Sequence, residues 1–213
     1  MIKAVLFDMD GLLVDTEPLN VAVVTKVCDE LGINLTPEEK HYCASGITNK
    51  KFYTELFDNR NLKFELNEIL NRTFQTYDEL LKTDAKSFLG AIDLPKLLSE
   101  KYELGLVSGS TRNQVNIILS KLDIGNLFKV VVTADDITSS KPDPEGYLLA
   151  ANELNINPQE CLVLEDGEQG VKAAKSAGMK VIGVLNNSEQ NLSLADLVVK
   201  DLIEVNQDLL LKL

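Results

Sequence analysis

The sequence is poor in the residues that build zinc and disulfide sites. Its 213 residues include one histidine, three cysteines and no tryptophan. Cys28, Cys43 and Cys161 are scattered and form no Cys-x-x-Cys pair, which speaks against a disulfide framework and predicts buried, free thiols. His41 lies in a polar stretch, far from any acidic cluster. A structural zinc site is therefore not expected, and any bound metal ion must be held by oxygen.

Basic residues and long apolar runs are also scarce. The chain has 21 lysines and arginines against 33 aspartates and glutamates, which gives a formal net charge of −12. Such a surface repels phosphate backbones and anionic lipids, so neither nucleic acid nor a membrane is an expected partner. No apolar run is long enough to span a bilayer, and no signal segment opens the chain. We expect a cytoplasmic protein, a monomer by default, which must place cations locally if its ligand is an anion.

Short apolar runs alternate with stretches of helical periodicity. The runs are rich in β-branched residues and predict buried strands at residues 2–7, 104–108, 129–133, 161–165, 180–185 and 196–199. Because these strands are apolar on both faces, the pattern predicts an α/β fold, a Rossmann-like parallel sheet with helices on both faces. In such sheets, ligands bind beyond the carboxyl ends of the strands.

The stretch between the first two predicted strands breaks this alternation. Residues 17–86 contain four helical patterns and no convincing strand, and Thr36 with Glu39 forms a capping box at the start of one helix. An inserted all-helical segment of this size forms a small bundle of its own. We predict a core domain made of residues 1–15 and 87–213, and a helical cap domain, 16–86, over the strand ends.

Two acidic pairs follow predicted strands. Asp8 and Asp10 come after the first strand and, being two residues apart, can point the same way. Glu165 and Asp166 end the fourth strand. If the two strands are neighbours, these carboxylates converge and raise each other's pKa unless a divalent cation lies among them. Magnesium, which prefers hard oxygen ligands, is the predicted cofactor.

Two further strand ends offer groups that bind anions. The second strand is followed by Ser108, Gly109 and Ser110 just before a helix, where hydroxyls, backbone N–H groups and the helix dipole favour an anion. Lys141, in the loop after the third strand, supplies a positive charge. Each feature alone is common in ordinary turns and helix caps. Their placement at strand ends of one sheet indicates a site for a phosphate.

Taken together, four motifs resemble the haloacid dehalogenase superfamily, in the branch of β-phosphoglucomutase and small sugar-phosphate phosphatases. The motifs are DMDGLLVDTEP at residues 8–18, VSGST at 107–111, SKPDPE at 140–145 and LEDGEQG at 164–170. The resemblance covers nearly the whole chain, since the helical insertion matches that branch's cap domain in position and size. It implies a phosphoryl-transfer enzyme that uses Mg²⁺.

The resemblance also implies a role for each motif residue. Asp8 is the nucleophile that forms an aspartyl-phosphate, and Asp10 is the general acid and base. Mg²⁺ is bound by Asp8, the Asp10 main-chain carbonyl and Asp166, with Glu165 as a ligand or directly behind one. The positions that bind the phosphate group are Met9, Ser108, Gly109, Ser110 and Lys141.

The residues expected to select the substrate depart from the mutase pattern. Where the resembling mutases have a cap histidine this sequence has Asn20, and where they have a cap arginine it has Asn49, with Lys50 beside it. Both departures favour hydrolysis, and Asp10 favours an ester substrate over a haloacid because an alkoxide leaving group needs a proton donor. We predict a phosphatase for a small phosphorylated metabolite, above all a sugar phosphate. A phosphomutase and a catalytically silent phosphometabolite-binding protein are the alternatives.

Overall fold

The computed structural model describes residues 1–44, 47–186 and 190–211. Two units divide the chain, one made of Met1–Asp15 with Lys86–Leu213 and the other of Thr16–Ala85. The strands are β1 (Ala4–Phe7), β2 (Val14–Asp15), β3 (Lys86–Ser87), β4 (Glu103–Val107), β5 (Val130–Val132), β6 (Cys161–Glu165), β7 (Lys180–Val184) and β8 (Leu197–Val199). The helices are α1 (Glu17–Glu30), α2 (Pro37–Ala44), α3 (Asn49–Asn59), α4 (Leu66–Thr83), α5 (Asp93–Ser99), α6 (Arg112–Leu122), α7 (Glu145–Glu153), α8 (Glu168–Ser176) and α9 (Gln207–Leu210).

The first unit is built on a six-stranded sheet in the order β5-β4-β1-β6-β7-β8. Every pair of neighbouring strands is parallel. The predicted α/β class is confirmed, and each predicted apolar run overlaps one of these strands. The middle position of β1 matters most for the site, because it makes the first strand a direct neighbour of both β4 and β6.

The register of the central strands brings their carboxyl ends level. Phe7, the last residue of β1, lies opposite Leu106 of β4 and Leu164 of β6. Whatever follows β1, β4 and β6 in sequence therefore emerges at one edge of the sheet. The next residues are Asp8, Ser108 and the Glu165–Asp166 pair, so residues far apart in the chain meet there.

The sheet is buried on both faces. Ala4 and Leu6 point to the face where Tyr147 of α7 and Ala174 of α8 complete an apolar core. Val5 and Phe7 point to the other face and are equally buried, with the Phe7 ring packed edge-on against Phe128. Burial on both faces explains why these strands read as continuous apolar runs in the sequence.

The second unit is a bundle of α1 to α4. Its core includes Val24, Cys28, Phe52, Tyr53 and Leu56, which recur at helical spacing on α1 and α3. The predicted capping box of α2 is formed, since the Glu39 N–H donates to Thr36 Oγ1 and the Thr36 N–H donates to Glu39 Oε2.

Cys28, Cys43 and Cys161 are buried and free, as predicted, and the His41 side chain is exposed. Of the helices in the described part of the chain, none is both long enough and apolar enough to cross a bilayer.

Candidate active site

Lys141 joins the acidic residues of two strands. Its Nζ forms an ion pair with Asp8 Oδ1 and another, at 2.6 Å, with Glu165 Oε1. All three side chains are largely buried, so the ion pairs are shielded from water. Burial by itself would lower the pKa of the lysine, but the two carboxylates outweigh it and hold the pKa well above its usual range. Lys141 is therefore a permanent cation at the edge of the sheet.

Glu165 is held on both carboxylate oxygens. Its Oε1 accepts a hydrogen bond from the Tyr147 hydroxyl at 3.1 Å as well as the one from Lys141, and its Oε2 accepts one from the Gly167 N–H at 2.7 Å. The Lys141 Nζ also lies 5.2 Å from the centre of the Tyr147 ring, in cation–π range. Tyr147 thus contacts both members of the Lys141–Glu165 pair and fixes their relative position.

Gly170, in the first turn of α8, leaves room for the Glu165 side chain. A Cβ at this position would overlap the Glu165 carboxylate, including Oε1, the atom that binds Lys141. The glycine is needed for close approach and not for an unusual backbone angle.

Replacing Gly170 with alanine is expected to lower kcat/KM about 10- to 100-fold, because Glu165 must move and Lys141 loses its anchor. Alanine favours helix more than glycine does, so a loss would not come from helix propensity. Phosphate release measures the effect. The matched control is Gly125→Ala, where the nearest atom to the new Cβ lies 3.5 Å away and no loss is expected. Unchanged activity in Gly170→Ala would show that the Glu165 position is not needed.

Asp8 belongs to a cluster of three carboxylates. Each of Asp8, Glu165 and Asp166 places one carboxylate oxygen within 4.8 Å of a carboxylate oxygen of the other two. Burial raises the pKa of Asp8 well above its ordinary value; Lys141 opposes this shift, and the carboxylates of Glu165, Asp166 and Asp10 add to it. Burial and the charge of Glu165 raise the pKa of Asp166 to about 7. The cluster therefore holds more negative charge than the protein itself neutralises.

Gly11 allows Asp166 to approach the turn that follows Asp10. Its φ is +85°, in the left-handed region, and a Cβ there would overlap the Asp166 carboxylate. Both the backbone angle and the space at this position thus require glycine.

Asp10 lies in different surroundings from Asp8. Its Oδ2 accepts hydrogen bonds from the hydroxyls of Ser108 and Ser110, both at 2.9 Å. Ser108 Oγ in turn accepts one from the Ser110 N–H at 2.9 Å. One aspartate therefore faces a lysine and the other faces two hydroxyls, so the two carboxylates are prepared for different chemistry.

The remaining predicted phosphate-binding positions belong to the same edge. Thr111 caps α6 with a reciprocal capping box to Gln114, so Gly109 and Ser110 stand just before a helix N-terminus. A cavity of about 260 Å³ is lined by Ser108, Gly109 and Lys141 among others. The Met9 side chain is buried, so only its backbone is available to a ligand.

The structure thus brings together the predicted residues of the first unit, namely Asp8, Met9, Asp10, Ser108, Gly109, Ser110, Lys141, Glu165 and Asp166. The three predicted cap contacts lie in the second unit. Asn20 is an exposed residue of α1, and Asn49 and Lys50 begin α3, half-buried and exposed respectively. Their contact with a substrate stays a prediction.

Three residues that the structure places around this site have no role in the sequence-based prediction. Tyr147 occupies an apolar position in a helical pattern, and Gly170 is the last residue of the LEDGEQG motif. Asn186 follows β7 at the edge of the sheet where the other motifs lie. Reading every strand end for polar residues would have found Asn186.

Comparison with known proteins identifies one family of similar sequences and structures. Residues 5–184 match the family model for haloacid dehalogenase-like hydrolases. A phosphorylated carbohydrates phosphatase of Thermotoga maritima is 32% identical over 91% of this chain and 90% of its own. The β-phosphoglucomutase of Bacillus subtilis is 31% identical over 98% of this chain and 93% of its own. A crystal structure of a candidate β-phosphoglucomutase from Thermotoga maritima superposes with a TM-score of 0.86 at 30% identity, over 100% of both chains.

Proposed function

The chain belongs to the haloacid dehalogenase-like hydrolases, and on this basis we propose that it is a Mg²⁺-dependent phosphatase. Its substrate is a small phosphomonoester, above all a sugar phosphate, and the reaction passes through an aspartyl-phosphate on Asp8. We also propose that it acts as a monomer in the cytoplasm. The observation that carries the proposal is the pair Asp8 and Asp10, one beside Lys141 and the other beside two serine hydroxyls.

The first step transfers the phosphoryl group to Asp8. An Asp8 carboxylate oxygen attacks phosphorus, the bond between phosphorus and the ester oxygen breaks, and Asp10 gives its proton to the departing alkoxide. The backbone N–H of Gly109 orients the phosphoryl oxygens, beside Ser108, whose single hydroxyl proton is donated to Asp10, and Lys141 balances their charge. Phosphoryl transfer depends mainly on such positioning and neutralisation.

The second step hydrolyses the aspartyl-phosphate. Asp10, now ionised, takes a proton from water as the water oxygen attacks phosphorus, and the bond to the Asp8 oxygen breaks. Inorganic phosphate leaves, Asp8 is again a carboxylate and Asp10 again carries its proton. The hydrogen bonds from Ser108 and Ser110 keep the Asp10 carboxylate in place through both steps.

The donor set of the site fits magnesium. The clustered groups are hard oxygen donors, and burial with mutual repulsion raises the pKa of both Asp8 and Asp166. Asp8, Asp166 and the Asp10 carbonyl would hold the ion. Glu165 would stand behind them, since both its oxygens already accept hydrogen bonds. When bound, Mg²⁺ supplies the positive charge that keeps Asp8 ionised and neutralises the phosphoryl oxygens.

The raised pKa of Asp166 gives a pH dependence of stability. Between the unfolded pKa of about 4 and the folded value of about 7, the folded protein binds a proton that the unfolded chain does not. The free energy of unfolding of the metal-free protein is therefore expected to fall as pH rises through this range. Added Mg²⁺ should counter the fall, because it binds the ionised carboxylates.

Urea denaturation at about pH 5 and about pH 8, with EDTA or with Mg²⁺, measures this. The Asp166→Asn variant is the control, since it lacks the titrating group and should lose less stability between the two pH values. Equal pH dependence in both proteins would contradict the assignment.

A phosphomutase is the second candidate function, favoured by the likeness to a β-phosphoglucomutase. The two functions separate in one assay with Mg²⁺, β-glucose 1-phosphate and a trace of the corresponding bisphosphate. Release of inorganic phosphate supports the phosphatase, whereas formation of glucose 6-phosphate supports the mutase. A panel of sugar phosphates and p-nitrophenyl phosphate then ranks substrates. A protein that neither releases phosphate from any of them nor forms glucose 6-phosphate would support the binding-protein alternative, and the proposal would be wrong.

A further inference from the structure

Asn186 makes hydrogen bonds to the turn that follows Asp10. Its side-chain Nδ2 donates to the carbonyl of Gly11 at 2.8 Å and to that of Leu12 at 3.1 Å. The side chain is about nine-tenths buried, so these bonds form where water does not compete for the carbonyls. Asn186 lies two residues after β7, whereas the turn follows β1, so the contact bridges two parts of the chain that are far apart in sequence.

Backbone N–H groups of the turn donate to carbonyls of the turn other than those of Gly11 and Leu12. The Gly11 N–H donates to the Val14 carbonyl at 2.8 Å, and the Leu13 N–H donates to the Met9 carbonyl at 2.9 Å. These bonds reverse the chain directly after Asp10. The Gly11 and Leu12 carbonyls take no part in these bonds and instead accept hydrogen bonds from the Asn186 amide, which supplies the donors that these two carbonyls need.

The backbone around Asn186 makes it a firm anchor. Its φ is +44°, in the left-handed region that asparagine tolerates better than most residues. Its own N–H donates to the Lys200 carbonyl at 2.8 Å, and the Leu185 N–H donates to the Val199 carbonyl at 3.0 Å. The residue is thus tied to the β7–β8 end of the sheet while its side chain holds the turn.

We propose that Asn186 is a positioning residue for Asp10. Ser108 and Ser110 hold the Asp10 carboxylate, and Asn186 holds the backbone immediately after it, so the two sets of bonds together set where the carboxyl group meets the leaving oxygen. This rests on the proposed function, in which Asp10 protonates that oxygen. Without the Asn186 amide, the turn relaxes and proton transfer from Asp10 weakens, while attack by Asp8 is less affected.

The test uses the dependence of rate on the leaving group. An alkoxide needs a proton in the first step, whereas p-nitrophenolate leaves well without one. In Asn186→Gly, which keeps the backbone angle accessible and removes the amide, kcat/KM for the best sugar phosphate of the panel is expected to fall about tenfold more than kcat/KM for p-nitrophenyl phosphate. Asn186→Asp keeps the shape of the side chain and loses the hydrogen-bond donor. It is expected to lower kcat/KM for the sugar phosphate relative to kcat/KM for p-nitrophenyl phosphate in the same way. Since both substrates are measured on one preparation, a partly unfolded variant lowers both values alike and leaves their ratio unchanged.

Three reference variants, at two positions, make the outcomes distinct. Asn155 has a similar φ of +55° and is exposed, so Asn155→Gly and Asn155→Asp should leave the ratio at the wild-type value. In Asp10→Asn, kcat/KM for the sugar phosphate should fall far more than kcat/KM for the aryl phosphate. If it does and both Asn186 variants keep the wild-type ratio, the positioning role is overturned and the proposed function stands. If Asp10→Asn itself shows no selectivity, the acid role of Asp10 fails and the inference falls with it.

Discussion

Replacing Asp8 with asparagine is expected to abolish turnover, with kcat lowered by about 10⁴-fold or more. The amide is nearly the same size as the carboxylate but does not attack phosphorus, so no phosphoryl-enzyme forms. The fold should survive, because the substitution removes one of several mutually repelling buried carboxylates while Lys141 keeps Glu165 as its partner. Phosphate release with the best panel substrate measures the loss, and circular dichroism checks the fold.

Two measurements make the Asp8 result specific to the nucleophile. Asp58→Asn makes the same chemical change at an exposed residue of α3 and should retain wild-type kcat. Acid quenching with a substrate labelled in its phosphate should leave label on the wild-type protein and none on Asp8→Asn. Wild-type turnover in a pure preparation of Asp8→Asn would refute the assignment.

Replacing Lys141 with alanine is expected to lower kcat/KM by about 10³-fold. The lysine contacts Asp8 directly and balances the charge of the incoming phosphoryl group, so its loss weakens both substrate binding and the transition state. It also leaves the Asp8 and Glu165 carboxylates buried without their cation, which costs about 3–5 kcal/mol of folding free energy when no metal is present. Mg²⁺ should restore part of this stability but not the activity, because the ion does not replace the lysine at the phosphate.

The control for Lys141 is a lysine whose ion pair lies at the surface. Lys175 of α8 pairs with Asp196 at 2.8 Å and is partly exposed, so Lys175→Ala should change neither kcat/KM nor stability by much. Kinetics at saturating Mg²⁺ and urea denaturation with and without Mg²⁺ separate the catalytic from the structural effect. Unchanged kcat/KM in folded Lys141→Ala would remove the lysine from the site.

The strand ends were readable from the sequence because the sheet is regular. Buried parallel strands are continuous apolar runs, so the end of each run is known, and the positions of Asp8, Ser108 and Glu165 at these ends follow from that alone. Strand order did not follow from the runs. That β1 lies between β4 and β6, which brings the two acidic pairs together, is seen only in the structure. The short strands β2 and β3 were also not predicted, because two residues in each strand are too few to form a recognisable pattern.

The contacts of the supporting residues could not be predicted for a related reason, although the position of Asn186 at a strand end is visible in the sequence. Tyr147 fits the apolar face of α7 as well as any core residue, and only the structure shows its hydroxyl on Glu165. Asn186 contacts a turn at the other end of the sequence. Such roles depend on three-dimensional proximity between segments whose separate patterns are ordinary. Motif residues are readable one by one, whereas the groups that orient them are defined by the packing around them.

The central position of β1 also has a consequence for how the protein is made. During synthesis this strand leaves the ribosome before the other strands of the sheet, and its two neighbours begin only at Glu103 and Cys161. The helices of Thr16–Ala85 form a compact unit of their own and can fold in the meantime, whereas the nascent β1 remains an unpaired apolar segment. Pairing of β1 on both of its edges must therefore wait until β6 has been translated, and Asp8, next to β1, meets its carboxylate neighbours only after translation has passed Asp166.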